Sequence, residues 1–243
     1  MHTMNKTLAT LLCALSLSCF TASGSESLEH VDVDVFDELS VLRGAEYYAN
    51  YCLGCHGLKQ IRYSRISKDL KVNETRMRQS FMFGDAKIHD IVNTAMPAGS
   101  SESVFGVTPP DLSLVTRSRG ADWVYSYLKG FYVDPKRPFG VNNVMLPNAA
   151  MPNVLWELQG SQTPVIETIN GETIVTGVQA LEHGKLNERE FDGVATDIVN
   201  FLSYVSEPSK LQREPLGKYV ILFLVFLTYI LYQLKKEYWK DID

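Results

Sequence analysis

Two cysteines and a histidine in one pentapeptide are the residues of this chain whose types and spacing could do chemistry. The pentapeptide is Cys52-Leu53-Gly54-Cys55-His56. Two thiols three residues apart can each add to a vinyl group of a porphyrin, and the adjacent imidazole can then bind the iron. The spacing therefore predicts one covalently bound haem c, with Cys52 and Cys55 as the attachment residues and His56 as an axial ligand of the metal.

The same cysteine pair could instead form a redox dithiol or half of a zinc site. A zinc site needs a second pair of ligands, but the other two cysteines, Cys13 and Cys19, lie in a segment that we expect to be removed. A thioredoxin-like dithiol expects a surrounding βαβ pattern, whereas residues 43–58 have the spacing of a helix. Haem attachment is the interpretation that fits these surroundings.

The element that must position the motif is the segment directly before it. Apolar residues recur at helical spacing from Val41 to His56, and Ser40 is the expected N-cap. We therefore predict a helix whose apolar face packs inward and whose last turn carries the haem motif. The basic residues that follow are either a solvated face or a docking surface, and they are Lys59, Arg62, Arg65 and Lys68.

A second helix is marked near the end of the predicted haem domain. Asn187 is the expected N-cap, and Glu190 three residues later completes a capping box. Apolar residues at helical spacing from Phe191 to Val205 predict its buried face. Glu207-Pro208 is expected to end it, because proline cannot continue the hydrogen-bond pattern.

The sequence between the two helices predicts one small β element. Val165 to Val175 alternates around Asn170-Gly171, which indicates a surface hairpin. Residues 69–108 give no clear role. The predicted fold class is mainly α: a c-type cytochrome domain with a small β-hairpin insertion and one C-terminal transmembrane helix.

The N-terminus has the layout of a secretory signal peptide. Lys6 precedes the apolar run Leu8–Phe20, and the small residues Ala22-Ser23-Gly24 follow it. We expect residues 1–24 to be cleaved. Export agrees with haem attachment, which bacteria complete outside the cytoplasm.

The C-terminal region contains a second apolar run, Tyr219–Leu234, which is uncharged and apolar on all sides. It is slightly shorter than the roughly 20 residues that span a bilayer. Flanking lysines, Lys218 on one side and Lys235 and Lys236 on the other, can extend it by reaching the interface. We therefore predict a transmembrane anchor at 214–236.

These two segments set the expected organisation and charge of the mature protein. Residues 25–213 would form the extracytoplasmic domain, and residues 237–243 would be a cytoplasmic tail. Removing residues 1–24 takes away Lys6 and no acidic residue, which leaves 22 basic and 28 acidic residues and a net charge of −6. This acidic balance has no signature of nucleic-acid binding, and it favours either a basic partner or simple solubility.

Several segments together resemble the cytochrome c1 family. They are residues 43–48 leading into the motif at 52–56, then 63–65, the Pro-Pro-Asp-Leu-Ser segment at 109–113, and residues 194–208 before the anchor. The haem motif alone is shared by all c-type cytochromes. Its combination with the other segments is what narrows the resemblance to this family.

The second axial ligand is not decided by the residues alone. The candidate methionines downstream of His56 are Met77, Met82, Met96, Met145 and Met151. Of these, Met96 and Met151 precede proline in predicted loops, and His89 and His183 are bis-histidine alternatives. The resemblance separates the methionines, since the family places its ligand between the Pro-Pro-Asp-Leu-Ser segment and the last helix of the domain. That position is Met151.

The resemblance also implies an arginine beside a haem propionate. By position this is Arg117, with Arg119 as the alternative. A guanidinium can pair with a carboxylate through two hydrogen bonds, so it would hold the negative edge of the haem. Without the resemblance, an exposed surface arginine would be the preferred interpretation.

The function implied by the resemblance is electron transfer in the bc1 complex, the quinol:cytochrome c oxidoreductase of respiratory chains. The chain would take one electron from the Rieske iron–sulfur subunit and pass it to cytochrome c, with cytochrome b as a further partner. It would do so in the bacterial inner membrane with its haem domain in the periplasm, and without acid or base catalysis of its own. The alternatives are an anchored cytochrome subunit of a terminal oxidase or another dehydrogenase, and a non-redox anchored metal-binding scaffold.

Overall fold

The computed structural model describes residues 28–169 and 172–240. The predicted signal peptide at 1–24 and the turn residues Asn170-Gly171 lie outside the described residues. The helices are α1 (Glu38–Tyr51), α2 (Tyr63–Asp69), α3 (Glu74–Ser80), α4 (Ala98–Phe105), α5 (Val115–Ser118), α6 (Ala121–Lys129), α7 (Trp156–Gln159), α8 (Glu188–Ser206) and α9 (Lys210–Tyr238). The strands are β1 (Leu58–Arg62), β2 (Ile91–Val92), β3 (Phe131–Val133), β4 (Val141–Asn143), β5 (Gly160–Ile169) and β6 (Glu172–His183).

The architecture is mainly helical with small antiparallel strand pairs, which confirms the predicted fold class. Within the described ranges, β1 pairs with β2, β3 with β4, and β5 with β6. The last pair is the predicted hairpin, but it is longer than expected and runs from Gly160 opposite His183 to Ile169 opposite Glu172. Two register shifts, opposite Ser161/Gln162 and Val165/Ile166 of β5, each leave one extra residue on β6 and interrupt the alternation of side chains there. The alternating pattern therefore revealed only the part nearest the turn.

The centre of the core is the crossing of α1 and α8. Gly44 permits the close approach, because a Cβ at this position would lie only 1.9 Å from the carbonyl oxygen of Asp197. The rings of Tyr48 and Phe201 meet across the crossing with centroids 5.4 Å apart. The helix that ends at the haem motif is thus fixed against the last helix of the domain.

The N-terminus of α1 begins earlier than the sequence predicted. Asp37 is the N-cap, since its carboxylate accepts hydrogen bonds from the backbone N–H groups of Leu39 and Ser40. The prediction of Ser40 as the cap was wrong because this residue is buried inside the helix interface. Its hydroxyl donates to Asp197 Oδ1 at 2.6 Å, and Arg43 binds both oxygens of the same carboxylate at 2.7 Å.

The start of α8 confirms the capping box. Asn187 Oδ1 accepts from the N–H of Glu190 at 3.0 Å, and the Glu190 carboxylate accepts from the N–H of Asn187 at 2.9 Å. The face from Phe191 to Val205 is buried, as its periodicity predicted. This helix supplies Ile198 and Leu202 to the cavity described below.

Helix α9 contains the apolar run at the C-terminus. Within residues 28–169 and 172–240 it is the helix long and apolar enough to cross a membrane, and none of its residues is fully buried by the rest of the chain. Apolar side chains exposed on every side of a helix need a non-aqueous environment or a partner. The helix has the properties expected of the predicted anchor.

Candidate haem centre

The residues of the C-x-x-C-H motif form a turn at the end of α1. The helix ends at Tyr51, four residues earlier than the motif's last cysteine, so the predicted final helical turn is replaced by a tighter turn. The N–H groups of Cys55 and His56 both donate to the carbonyl of Cys52, at 3.0 and 2.8 Å. The buried hydroxyl of Tyr48 donates to the carbonyl of His56. The two thiols and the imidazole therefore reach one cavity.

The Pro-Pro-Asp-Leu-Ser segment, residues 109–113, packs along the backbone that follows the motif. The carboxylate of Asp111 accepts from the N–H of Lys59 at 2.8 Å, and the N–H of Leu112 donates to the carbonyl of Gly57 at 3.0 Å. Two prolines limit the backbone conformations that this segment can adopt, so it loses little freedom when it packs there. These contacts fix the position of its carbonyl groups relative to the motif.

The His56 imidazole is oriented by one of those carbonyls. Its Nδ1 lies 2.7 Å from the carbonyl oxygen of Pro110, which can only accept a hydrogen bond. Burial lowers the pKa of His56, against a smaller opposing effect of Pro110. The ring is consequently neutral with its proton on Nδ1, and the lone pair on Nε2 is free to bind a metal.

A cavity of about 520 Å³ collects the candidate residues. Cys52, Cys55, His56 and Met151 all line it. Most of the remaining wall is apolar and comes from segments far apart in the chain: Phe105, Val107, Pro109, Pro110, Leu112, Val115, Val124, Leu128, Leu146, Ile198 and Leu202. The volume lies within the roughly 300–1,000 Å³ that is usual for ligand and cofactor sites. An imidazole nitrogen, a thioether sulfur, two thiols and apolar walls are a donor set that fits a haem c.

The two thiols lack the environment of a reactive dithiol. Burial raises the pKa of Cys52 to about 12, and burial also raises the pKa of Cys55. Reactive cysteines have a lowered pKa, produced by nearby positive charge or a helix N-terminus. The electrostatics therefore disfavour the redox-dithiol alternative.

The structure separates the candidates for the second axial ligand. Met151 is half-buried in the loop between β4 and α7 and lines the cavity. Met96 is also half-buried but does not line this cavity, and neither do His89 and His183. Of these four residues, Met151 alone lies in the same cavity as His56.

The two candidate arginines lie in different surroundings. Arg117 is an exposed residue of α5 and does not line the cavity. Arg119, directly after α5, does line it, and its guanidinium lies over the ring of Trp123 at 5.1 Å from the centroid. Residues two positions apart on a helical backbone point in different directions, which is why only one of these arginines reaches the cavity.

An aromatic column, with two rings on α6 and one at the start of β3, is a part of the site that sequence reasoning missed. The rings of Trp123 and Tyr127 are stacked with centroids 5.1 Å apart, and Phe131 meets Tyr127 edge-on at 5.2 Å. The Tyr127 hydroxyl donates to Met151 Sδ at 3.5 Å, and burial raises the pKa of Tyr127 to about 12. The four-residue spacing of these rings was the signal that could have identified the column.

Comparison with known proteins gives matches along almost the whole chain. The sequence model of the Cytochrome C1 family matches residues 29–242. Cytochrome c1 of Allochromatium vinosum is 49% identical over 238 residues, which cover 97% of this chain and 98% of that protein. The ammonia monooxygenase gamma subunit of Nitrosomonas europaea is 40% identical over 235 residues, which cover 96% of this chain and 97% of that protein. The family match includes the haem motif, the 109–113 segment, Met151 and α9.

Proposed function

Because the chain belongs to the cytochrome c1 family, we propose that it is the haem-bearing electron-transfer subunit of a quinol:cytochrome c oxidoreductase. It accepts one electron from the Rieske iron–sulfur subunit and passes it to cytochrome c. The observation that carries this proposal is the presence of Cys52, Cys55, His56 and Met151 on the wall of one cavity.

Each of these residues has a defined role in the proposal. Cys52 and Cys55 would attach haem c through thioether bonds, and His56 and Met151 would bind its iron. When bound, haem c supplies the one-electron redox chemistry. We assign the propionate-facing position to Arg119 instead of Arg117, because Arg119 lines the cavity and Arg117 does not.

The remaining residues of the site set the conditions for that chemistry. The Pro110 carbonyl holds His56 in the tautomer that leaves Nε2 free to bind a metal. The apolar wall excludes water, which is one of the factors that determine the potential of a haem. The chain would be one subunit of an oxidoreductase. Its own role is to carry electrons, which requires no acid or base residue.

The anchor and the family support the partners and location that we propose. Cytochrome b and the Rieske subunit would accompany this chain in the membrane, and cytochrome c would be its acceptor. The proposed organisation is a signal peptide at 1–24, a periplasmic haem domain at 25–213, a single transmembrane helix at 214–236 and a cytoplasmic tail at 237–243. The exposed apolar surface of α9 supports the anchor.

The experiment that tests the function is purification of the membrane complex that contains this chain. We expect its subunits to include a cytochrome b and a Rieske-type protein. The pyridine haemochrome spectrum should show a haem with both vinyl groups saturated, and quinol should reduce this haem. Replacing Cys52 and Cys55 with alanine should abolish covalent haem binding. A haem-free wild-type protein would contradict the proposal.

A second candidate function has a specific observation behind it. The 40% identical relative is named as a subunit of an ammonia monooxygenase, which favours an anchored cytochrome subunit of another oxidoreductase as the alternative. Its haem site would use the same residues, so the spectrum cannot distinguish the two functions. The subunit inventory can, because oxidase or monooxygenase subunits would replace cytochrome b and the Rieske protein.

A further inference from the structure

Tyr127 makes a polar contact inside a cavity whose walls are mostly apolar. Its hydroxyl donates to Met151 Sδ at 3.5 Å, and the two residues come from different elements, α6 and the loop before α7. A thioether is a weak acceptor, but it offers two lone pairs. One pair can therefore bind a metal while the other accepts the Tyr127 hydrogen.

The orientation of the Tyr127 ring is fixed from two sides. Trp123 stacks on it at 5.1 Å with an interplanar angle of 13°, and Phe131 contacts it edge-on at 5.2 Å and 73°. The Arg119 guanidinium lies over the ring of Trp123, 5.1 Å from its centroid, and so adds a charged group beside the stack. A ring held in this way keeps its hydroxyl pointed at one place, which makes the contact with Met151 Sδ directional.

We propose that Tyr127 is a positioning residue for Met151, an inference that rests on the proposed function in which Met151 is an axial ligand. The hydrogen bond holds the thioether in the cavity and withdraws electron density from its sulfur. A sulfur that donates less electron density destabilises ferric iron more than ferrous iron. The contact therefore raises the reduction potential of the haem.

The alternative is that Tyr127 only fills the wall of the cavity, and the Tyr127→Phe variant distinguishes the two roles. It keeps the aromatic ring and the stack with Trp123 and removes only the hydroxyl. Tyr125→Phe is the matched control, since Tyr125 is buried on the same helix, is not part of the cavity wall and has its hydroxyl 3.5 Å from Lys129 Nζ. Both variants lose one phenolic hydroxyl from α6.

The measurement is a redox titration of the purified membrane complex, together with the sulfur-to-iron charge-transfer band of the ferric haem. In Tyr127→Phe we expect the ferrous-to-ferric ratio at a fixed potential to fall about threefold, which corresponds to a midpoint potential roughly 28 mV lower for one electron. The charge-transfer band should shift or weaken. Tyr125→Phe should leave both quantities at the wild-type values.

The outcomes separate this inference from the proposed function. If the wild type has the charge-transfer band and Tyr127→Phe changes neither the band nor the potential, Tyr127 is a wall residue and the inference is overturned alone. An equal shift in Tyr125→Phe also overturns it, because the effect would then belong to the helix. A wild-type haem without the band would overturn the assignment of Met151 as a ligand, and this inference with it.

Discussion

His56 is oriented by a residue 54 positions later in the chain. The motif supplies the imidazole, but the carbonyl of Pro110 decides which of its nitrogens carries the proton. Pro110 is in turn held by two hydrogen bonds of the 109–113 segment, from the Leu112 N–H to the Gly57 carbonyl and from the Lys59 N–H to the Asp111 carboxylate. At the scale of single residues, the groups that attach the haem all lie within the pentapeptide. The tautomer of its histidine that leaves Nε2 free is set by a distant segment.

Met151→Ala is expected to abolish the sulfur-to-iron charge-transfer band, because it removes the thioether that shares a cavity with His56. The midpoint potential should fall by a sizeable part of the roughly 0.8 V range that axial ligands span. Near-infrared absorption and redox titration of the membrane complex measure both effects. Met96→Ala is the control and should retain the band, and loss of the band in that variant would contradict the assignment.

Arg119→Gln is expected to lower the midpoint potential by about 30 to 60 mV, the shift that roughly 0.7 to 1.4 kcal/mol gives for one electron. A positive charge on the cavity wall disfavours the more positive ferric state, so its removal stabilises that state. Arg117→Gln should change the potential by much less, because Arg117 does not line the cavity and solvent screens a charge outside it. The opposite order of the two effects would restore Arg117 as the propionate partner.

At the scale of elements, the haem motif is positioned by the α1–α8 crossing. One network ties the helices together, in which the Asp197 carboxylate accepts from the Ser40 hydroxyl and from the guanidinium of Arg43. Gly44 lies one residue after Arg43 and brings the backbones together at the same point. The crossing therefore combines close packing with a hydrogen-bonded ion pair, and the motif follows directly from it.

Gly44→Ala is expected to destabilise the domain by about 3 kcal/mol or more, since the new methyl group would overlap the backbone of α8 and force the helices apart. For a domain of this size the thermal midpoint should fall by about 6 to 12 °C. Gly193→Ala on α8 is the control. A Cβ there meets nothing within 4 Å, so the better helix propensity of alanine should stabilise by up to about 1 kcal/mol. Circular dichroism of the purified chains measures both changes, and equal midpoints would refute the close approach.

Periodic and chemical signals predicted part of this arrangement. The capping box at Asn187 and the buried face of α8 were predictable because their signals lie within one helix. The cap of α1 was not, since Ser40 and Asp37 both suit the position and only the distant Asp197 decides that Ser40 is buried. Residues 98–107 gave no periodic signal for a role, yet Phe105 and Val107 line the cavity. Local sequence patterns do not predict contacts between distant segments, and these contacts decide both cases.

At the scale of the whole molecule, the C-terminal helix is separate from the core of the domain. None of the residues of α9 is fully buried, although Leu211 in its first turn packs partly against the core. Just before α9, the carbonyl of Pro208 accepts from Arg65 Nη2 at 3.2 Å. The boundary between domain and anchor therefore lies after these contacts, within the first turns of the helix.

A chain ending at Arg213 is expected to be released from the membrane as a water-soluble, haem-containing domain. It retains Leu211 and Pro208 and loses only side chains that the rest of the chain does not bury. Its thermal midpoint should lie within about 2 °C of that of the full chain, because little buried surface is removed. A chain ending at Ser206 is the control, and the loss of Leu211 and of the Pro208 acceptor should lower its midpoint by several degrees. Fractionation and thermal unfolding test both chains, and continued sedimentation of the Arg213 chain with membranes would show that the domain has a second site of attachment.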